Sequence, residues 1–128
     1  MSGPAWVPLR AVLVFHDRQI ARHGGAAGLR EMALLESGCA RPVNLAAYGT
    51  PDVFDLAAAY AFGIAKAHAF VDGNKRTAFV TAVTFLRLNG QGFRPVPAEG
   101  VRMMEDLASG DVSEEAFAKW LRTGALPL

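Results

Sequence analysis

At 128 residues, with 52% apolar and 20% charged side chains, the chain is long enough to bury a core of its own, and its composition argues against disorder. A net charge of +1 argues against a nucleic-acid surface as the main function, since such domains are strongly basic. A lone Cys39 excludes an internal disulfide and reads as a small core residue, and no Cys/His cluster suggests zinc.

The opening MSGPAWVPLRAVLVF has no basic region before its apolar run, which Arg10 interrupts; no stretch reaches the roughly 18 apolar residues that span a bilayer. Neither a signal peptide nor a membrane span is expected, and the expected compartment is the cytoplasm. Residues 8–23 predict a helix with Pro8 in its first turn, Leu9, Val12, Leu13, His16 and Ile20 on one face, and Gly24-Gly25 at its end. His16 and His23 read as structural rather than catalytic. Residues 29–40 predict a second helix that Pro42 stops, followed by a loop over 41–50. Thr50 then reads as the cap, and Pro51 as the first residue, of a helix over 51–67. That helix is apolar nearly all round and therefore buried. Lys66 near its end is either a favourable last-turn cation or a charge facing a substrate.

Residues 74–89 predict the central helix, with Phe79, Val80, Val83, Phe85, Leu86 and Leu88 buried and Asn89-Gly90 at its end. The prolines of 92–97 allow an edge segment at best. Residues 98–109 predict a helix with Val101, Met104, Leu107 and Ala108 inward; Met103 and Met104 are core filler rather than ligands. Ser113 caps the last helix, Val112 staples to Phe117, and Phe117, Trp120 and Leu121 face inward. About six helices with no convincing strand pair predict an all-α fold, a single domain over 1–128.

Between the two most apolar helices lies HAFVDGNKRTA, residues 68–78. Lys75 and Arg76 fall where the second helix starts, although cations there are disfavoured by roughly 0.3–1 kcal/mol each. An anion docked on the free N–H groups of that helix start explains them; a solvated, slightly unfavourable start is the alternative. Gly73 lets the backbone approach a ligand closely, and Asn74 either caps the helix or bonds the anion. His68 is a helix-end cation or a general base, and Asp72 is a turn former or, beside a phosphate, a Mg²⁺ ligand. Phe70 anchors the loop in the core.

The run His68-x-Phe70-x-Asp72-Gly73-Asn74-Lys75-Arg76-Thr77 resembles the signature of the Fic/Doc family, specifically its Doc (death-on-curing) branch. The resemblance extends to FHDRQIARHGG (15–25) and LLESGCARP (34–42). The Fic branch resembles H-P-F-x-D/E-G-N-G-R with a later Arg; here Ala69 replaces the proline, Lys75 the second glycine and Phe79 the late Arg. The resemblance implies a helical bundle with the motif loop near its centre, and a toxin of a toxin–antitoxin system that phosphorylates a protein hydroxyl. It implies ATP and Mg²⁺ as cofactors and elongation factor Tu as substrate, with translation arrested.

Carried over by residue, the resemblance makes His68 the base and Asp72 the metal ligand. Gly73, Asn74, Lys75, Arg76 and Thr77 would bind the nucleotide, with Lys75 and Arg76 also serving catalysis. Val80 stands where relatives can carry a helping polar residue. Alternatives are a Fic-type adenylyltransferase, which the lost glycine and late Arg disfavour, and an inactive binding module, which the joint presence of His68, Asp72 and Arg76 disfavours. No self-inhibitory S/T-x-x-x-E-G/N string occurs. Inhibition is therefore expected from a prevents-host-death-type antitoxin whose tail folds onto an apolar groove.

Overall fold

A computed structural model describes residues 3–128. Its helices are α1 (Leu9–His23), α2 (Met32–Ala47), α3 (Val53–Ala67), α4 (Asn74–Leu88), α5 (Pro97–Ser109) and α6 (Glu114–Gly124). Two short strands, β1 (Gln91–Gly92) and β2 (Leu126–Pro127), pair antiparallel, with Gln91 opposite Pro127 and Gly92 opposite Leu126. The fold is all-α, as the periodicity predicts. The small pair is an addition: the tail returns to the segment after α4 and satisfies backbone groups that the prolines nearby leave without a helix. No described helix is long and apolar enough to cross a membrane.

The bundle is organised around α3, which packs against α2, α4, α5 and α6. Its residues from Leu56 to Ala61 are all buried, as are Gly63, Ile64 and Ala65. Tyr60 stacks obliquely on Phe85 of α4 and on Trp6, and its hydroxyl accepts the Val7 N–H at 3.1 Å, which pins the N-terminal segment to the core. Phe117, Leu121 and Leu107 close the other side, each fully buried and contributing about 1.5–3 kcal/mol by burial. Met104 is buried and Met103 packs against the core, as expected of filler.

Three helix boundaries differ from the sequence reading. The first is the start of α2, which begins at Met32 rather than at residue 29, where Leu29 instead bridges Phe70. The second helix does not stop at Pro42 and 41–50 is not a loop; α2 runs through the buried Pro42 to Ala47. A proline inside a helix ordinarily costs about 3 kcal/mol, because it lacks an N–H and its ring collides with the carbonyl four residues back. Here that carbonyl belongs to Gly38, which crosses α3 at Gly63. A Cβ at Gly38 would lie 2.7 Å from the Gly63 carbonyl oxygen, and one at Gly63 would run into the Gly38 carbonyl oxygen. The freed carbonyl therefore faces the Gly63 backbone at a contact that only two glycines permit, close enough for a weak Cα–H···O interaction.

The start of α3 is also different. Asp52, rather than Thr50, caps it: its carboxylate accepts the Asp55 N–H at 2.8 Å, and the Asp55 carboxylate accepts the Asp52 N–H at 2.9 Å. This reciprocal box satisfies two orphan donors and leaves Pro51 outside the helix. Burial alone would raise the Asp52 pKa, but the Asp55 N–H and the Arg122 guanidinium outweigh it and hold it below the usual range. Ser113 caps α6 through the Ala116 N–H at 3.0 Å, as the sequence predicts.

Val101 is the outlier on α5: it is 60% exposed instead of inward, while Met104 and Leu107 fill the core. Lys66 donates to the Ala108 carbonyl at 2.9 Å, so it ties the end of α5 to α3 rather than facing a ligand. Leu88 also lies outward, half-exposed at the end of α4. Cys39 is partly buried between helices, and burial pushes its thiol up to about 11.

Candidate active site

The motif loop leaves α3 at His68, whose backbone is left-handed (φ 50, ψ 40). It is the only non-glycine with positive φ among the described residues. A side chain there costs roughly 1–2 kcal/mol relative to the right-handed region, and glycine would relieve it. Strain held at an exposed histidine directs attention to its imidazole, which has no hydrogen-bond partner within the described residues. The expected helix-end role, bonding the last carbonyls, is not what the side chain does.

From Ala69 to Gly73 the backbone is braced on three sides. The segment after α1 runs antiparallel beside it: Arg30 N–H donates to the Ala69 carbonyl at 2.7 Å and Val71 N–H to the Gly28 carbonyl at 3.0 Å, with Leu29 opposite Phe70. From α4, the Asn74 amide oxygen accepts the Phe70 N–H at 3.0 Å while its nitrogen donates to the Phe70 carbonyl at 2.9 Å. From α1, the buried His16 stacks on Phe70 (centroids 3.8 Å apart, planes 7° apart), and its Nε2 lies 2.7 Å from the Asp72 carbonyl. Phe70 is the buried anchor that the sequence predicts. Asn74 clamps the loop, so one donor and one acceptor of its amide are already committed.

Gly73 precedes α4 with φ 77, and a Cβ there would approach Ile20 to 3.2 Å. The left-handed backbone favours glycine, and a Cβ would also press on the Ile20 methyl. No side chain caps α4, so the first-turn amides point outward unsatisfied. Lys75 and Arg76 on that turn are exposed, and neither belongs to an ion pair among the described residues. The helix end thus carries its own partial positive charge and two unneutralised cations. Asp72 is exposed beside them; its Oδ1 accepts the Gly73 N–H at 2.8 Å and its Oδ2 the Ala26 N–H at 3.3 Å. The carboxylate is therefore oriented by backbone donors and retains lone pairs toward solvent.

Thr77 does not belong with these groups. It is fully buried, its Oγ1 lacks a partner, and it shares the inner face of α4 with Ala78, Thr81 and Phe85. A nucleotide at the helix start cannot reach its side chain.

A groove of about 640 Å³ adjoins the site. Lys75 and Arg76 form one border, Gln19 and His23 of α1 another, and Phe79, Val80, Pro95, Val101 and Met104 are among its apolar lining. His68 and Asp72 do not line it, so the groove flanks the loop through its cations. His23, read from sequence as structural, faces this groove. Phe79, at the late-Arg position of the Fic pattern, packs edge-on with Phe93 at 6.4 Å and beside Trp120. No group of three or more His, Cys, Asp or Glu that could hold a metal occurs among the described residues. A metal at Asp72 would need most of its ligands from a phosphate and water.

The Fic/DOC family model matches residues 6–86, which takes in α1 to α4 and the whole loop with its braces. The chain is 34% identical over 112 residues to "Protein kinase doc" of Escherichia phage P1, covering 87% of this chain and 88% of that one. It is 46% identical over 70 residues to "Toxin Doc" of Mycolicibacterium smegmatis, covering 52% of this chain and 53% of that one. A loop strained at its histidine, held between two buried helices and opening on an uncapped cationic helix start is thus matched along its full length, and the chain belongs to the Fic/DOC family.

Proposed function

We propose that this chain is a Doc-type toxin that transfers the γ-phosphoryl group of ATP to a hydroxyl of a translation factor, elongation factor Tu, in the cytoplasm. The observation that carries the reading is one loop with a strained, unpartnered His68 at its start and, at its end, an uncapped α4 N-terminus with Lys75 and Arg76 unpaired. The names of the two relatives, a kinase and a toxin, support it.

ATP and Mg²⁺ suit the residues present. Free amides and two cations match phosphate oxygens, and a single exposed carboxylate matches Mg²⁺, which prefers one or two carboxylates together with phosphate. When bound, ATP would supply the transferable phosphoryl group and Mg²⁺ a positive charge to offset its oxygens. His68 accepts the proton of the acceptor hydroxyl as that oxygen bonds to phosphorus and the bond to ADP breaks. Lys75, Arg76 and the α4 amides hold the negative charge that spreads over the phosphoryl oxygens. Asp72, aimed by the Gly73 and Ala26 N–H groups, would hold the metal.

Lys75 and Phe79 favour phosphate over AMP transfer. Lys75 adds bulk and charge where a second glycine would let a diphosphate lie along the backbone, and Phe79 offers no charge to its far end. The resemblance to Doc implies the orientation that would bring the γ-phosphoryl toward His68. An antitoxin of the prevents-host-death type would restrain the enzyme, its tail folding as a helix into the apolar groove beside Lys75 and Arg76. ATP labelled separately at its γ- and α-phosphates tests the reaction: label enters protein from the γ position only. Entry from the α position makes the chain an adenylyltransferase, and entry from neither makes it a binding module.

A further inference from the structure

His16 has a role that neither a core histidine nor the transfer chemistry accounts for. It is 2% exposed, yet its Nε2 lies 2.7 Å from the Asp72 carbonyl oxygen. A carbonyl only accepts, so Nε2 carries the hydrogen. The ring also lies flat on Phe70, and its Nε2 and Cδ2 would each be 3.6 Å from a Cβ placed on Gly73. The imidazole therefore touches the anchor ring and the Asp72 carbonyl, and it flanks the space that a side chain at Gly73 would enter.

The Asp72 carbonyl and the Gly73 N–H belong to one planar peptide group, so fixing one fixes the other. That N–H is the donor that holds Asp72 Oδ1 at 2.8 Å. The same peptide leads into Gly73, whose left-handed backbone sets the direction of the α4 amides. Without the Nε2–H bond, the plane between Asp72 and a glycine free to take either sign of φ is held only from its ends.

We propose that His16 is a positioning residue for the active loop. Its Nε2–H sets the peptide plane between Asp72 and Gly73, and through it the aim of the Asp72 carboxylate and of the α4 N-terminus. The proposal rests on the reading of the loop as a phosphoryl-transfer site, but its structural arm does not. His16→Phe keeps the stack and the burial and removes the hydrogen-bond donor; His16→Gln restores a donor at similar reach.

In γ-phosphoryl transfer from ATP, His16→Phe is expected to lower kcat by about 100-fold, the order of loss that misplacement of a reacting group by about 1 Å produces. KM for ATP should change by less than about threefold, and His16→Gln should recover most of kcat. Equal turnover in His16→Phe and parent overturns the proposal, as does a loss that Gln fails to rescue in a folded protein. Nitrogen NMR of the parent supplies the arm independent of activity and of the variants' folding: an Nε2–H tautomer supports the proposal and an Nδ1–H neutral tautomer overturns it. If the parent transfers no phosphate, the functional reading fails alone. Exchange of the Gly73 amide still decides the positioning role, faster in His16→Phe than in His16→Gln if it is right and equal in both if it is wrong.

Discussion

Gly63→Ala is expected to destabilise the protein, although alanine is the better helix former. The change gains about 1 kcal/mol from helix propensity and about 0.8 kcal/mol from burying a methyl. Against this, the new methyl would overlap the Gly38 carbonyl oxygen and sit 3.1 Å from its carbon and 3.2 Å from its Cα. All three atoms are backbone, so no rotamer change relieves the overlap, and α2 must move off α3. Leu35, fully buried at that crossing, makes about 40–60 atom contacts of about 0.1–0.2 kcal/mol, and a gap of about 0.5–1 Å forfeits a quarter to a half of each. Loss at Leu35 alone is thus about 1–6 kcal/mol, and Cys39 and Pro42 beside it lose contacts as well. The net cost comes to about 2 kcal/mol, within the usual range for overpacking.

With an unfolding entropy of about 2.1 cal/mol/K per residue, the chain should melt about 7 °C lower. Thermal unfolding followed by circular dichroism measures this, with Gly49→Ala as the control. A Cβ at Gly49 meets nothing nearer than the Leu45 carbonyl oxygen at 3.6 Å, and its melting temperature should hold. A Gly63→Ala protein that melts at or above the parent would show that α2 and α3 do not cross at these two glycines. Because α3 ends in His68, the displacement should reach the site and lower activity in step with stability.

Further outcomes follow from the loop and the α3 cap. His68→Gly should abolish growth inhibition on induced expression while melting no lower than the parent, because glycine relieves the left-handed backbone; a variant still toxic would remove His68 from the chemistry. Asp72→Ala should weaken the Mg²⁺ dependence of phosphoryl transfer more than thermal stability, and an unchanged metal titration would leave Asp72 as a turn residue only. Asp52→Ala should cost about 1 kcal/mol through loss of the N-cap, in denaturant titration at neutral pH. The Asp52 pKa is lowered on folding, so its contribution is present above the unfolded value and is lost as pH falls through the folded one. Parent and variant should therefore converge in stability once the pH has fallen below the lowered folded value, and a gap that persists there would refute the cap.

The elements were mostly legible because α1, α4, α5 and α6 carry their own signals: apolar spacing, Asn89-Gly90 after α4, Gly110 after α5 and Ser113 before α6. Pro42 misled because what makes it tolerable is remote. The carbonyl it orphans belongs to Gly38, and the partner of Gly38 is on another helix. Asp52 and Thr50 are both acceptable caps, and only the reciprocal bond with Asp55 decides between them. Thr77 was readable in principle. Thr77, Thr81 and Phe85 follow at four-residue spacing, which places the threonine inward with the aromatic and away from Lys75 and Arg76. The groove was not readable, since α1, α4 and α5 each contribute a few residues that mean little alone. Val101 reads as core until its neighbours across the groove are known.

The loop separates two kinds of work that its motif runs together. Phe70, Asn74, Gly73 and the peptide after Asp72 are fully occupied in fixing the backbone, through the His16 ring, the Asn74 amide and the strand-like segment from Gly28 to Arg30. His68, Lys75 and Arg76 are exposed with no described hydrogen-bond or ionic partner, and Asp72 is bonded only to N–H groups that leave its outer lone pairs open. A surface turn without chemistry to do would gain from the reverse arrangement, with glycine at His68 and an Asp or Ser capping α4. The sequence forgoes both. It places strain at one end of the loop and like charges at the other, each by roughly 1 kcal/mol against stability, and it binds the intervening backbone from three directions so that neither relaxes. That combination is what a phosphate arriving at the α4 N-terminus would meet: donors already aimed, cations not yet neutralised, and an imidazole held at the edge.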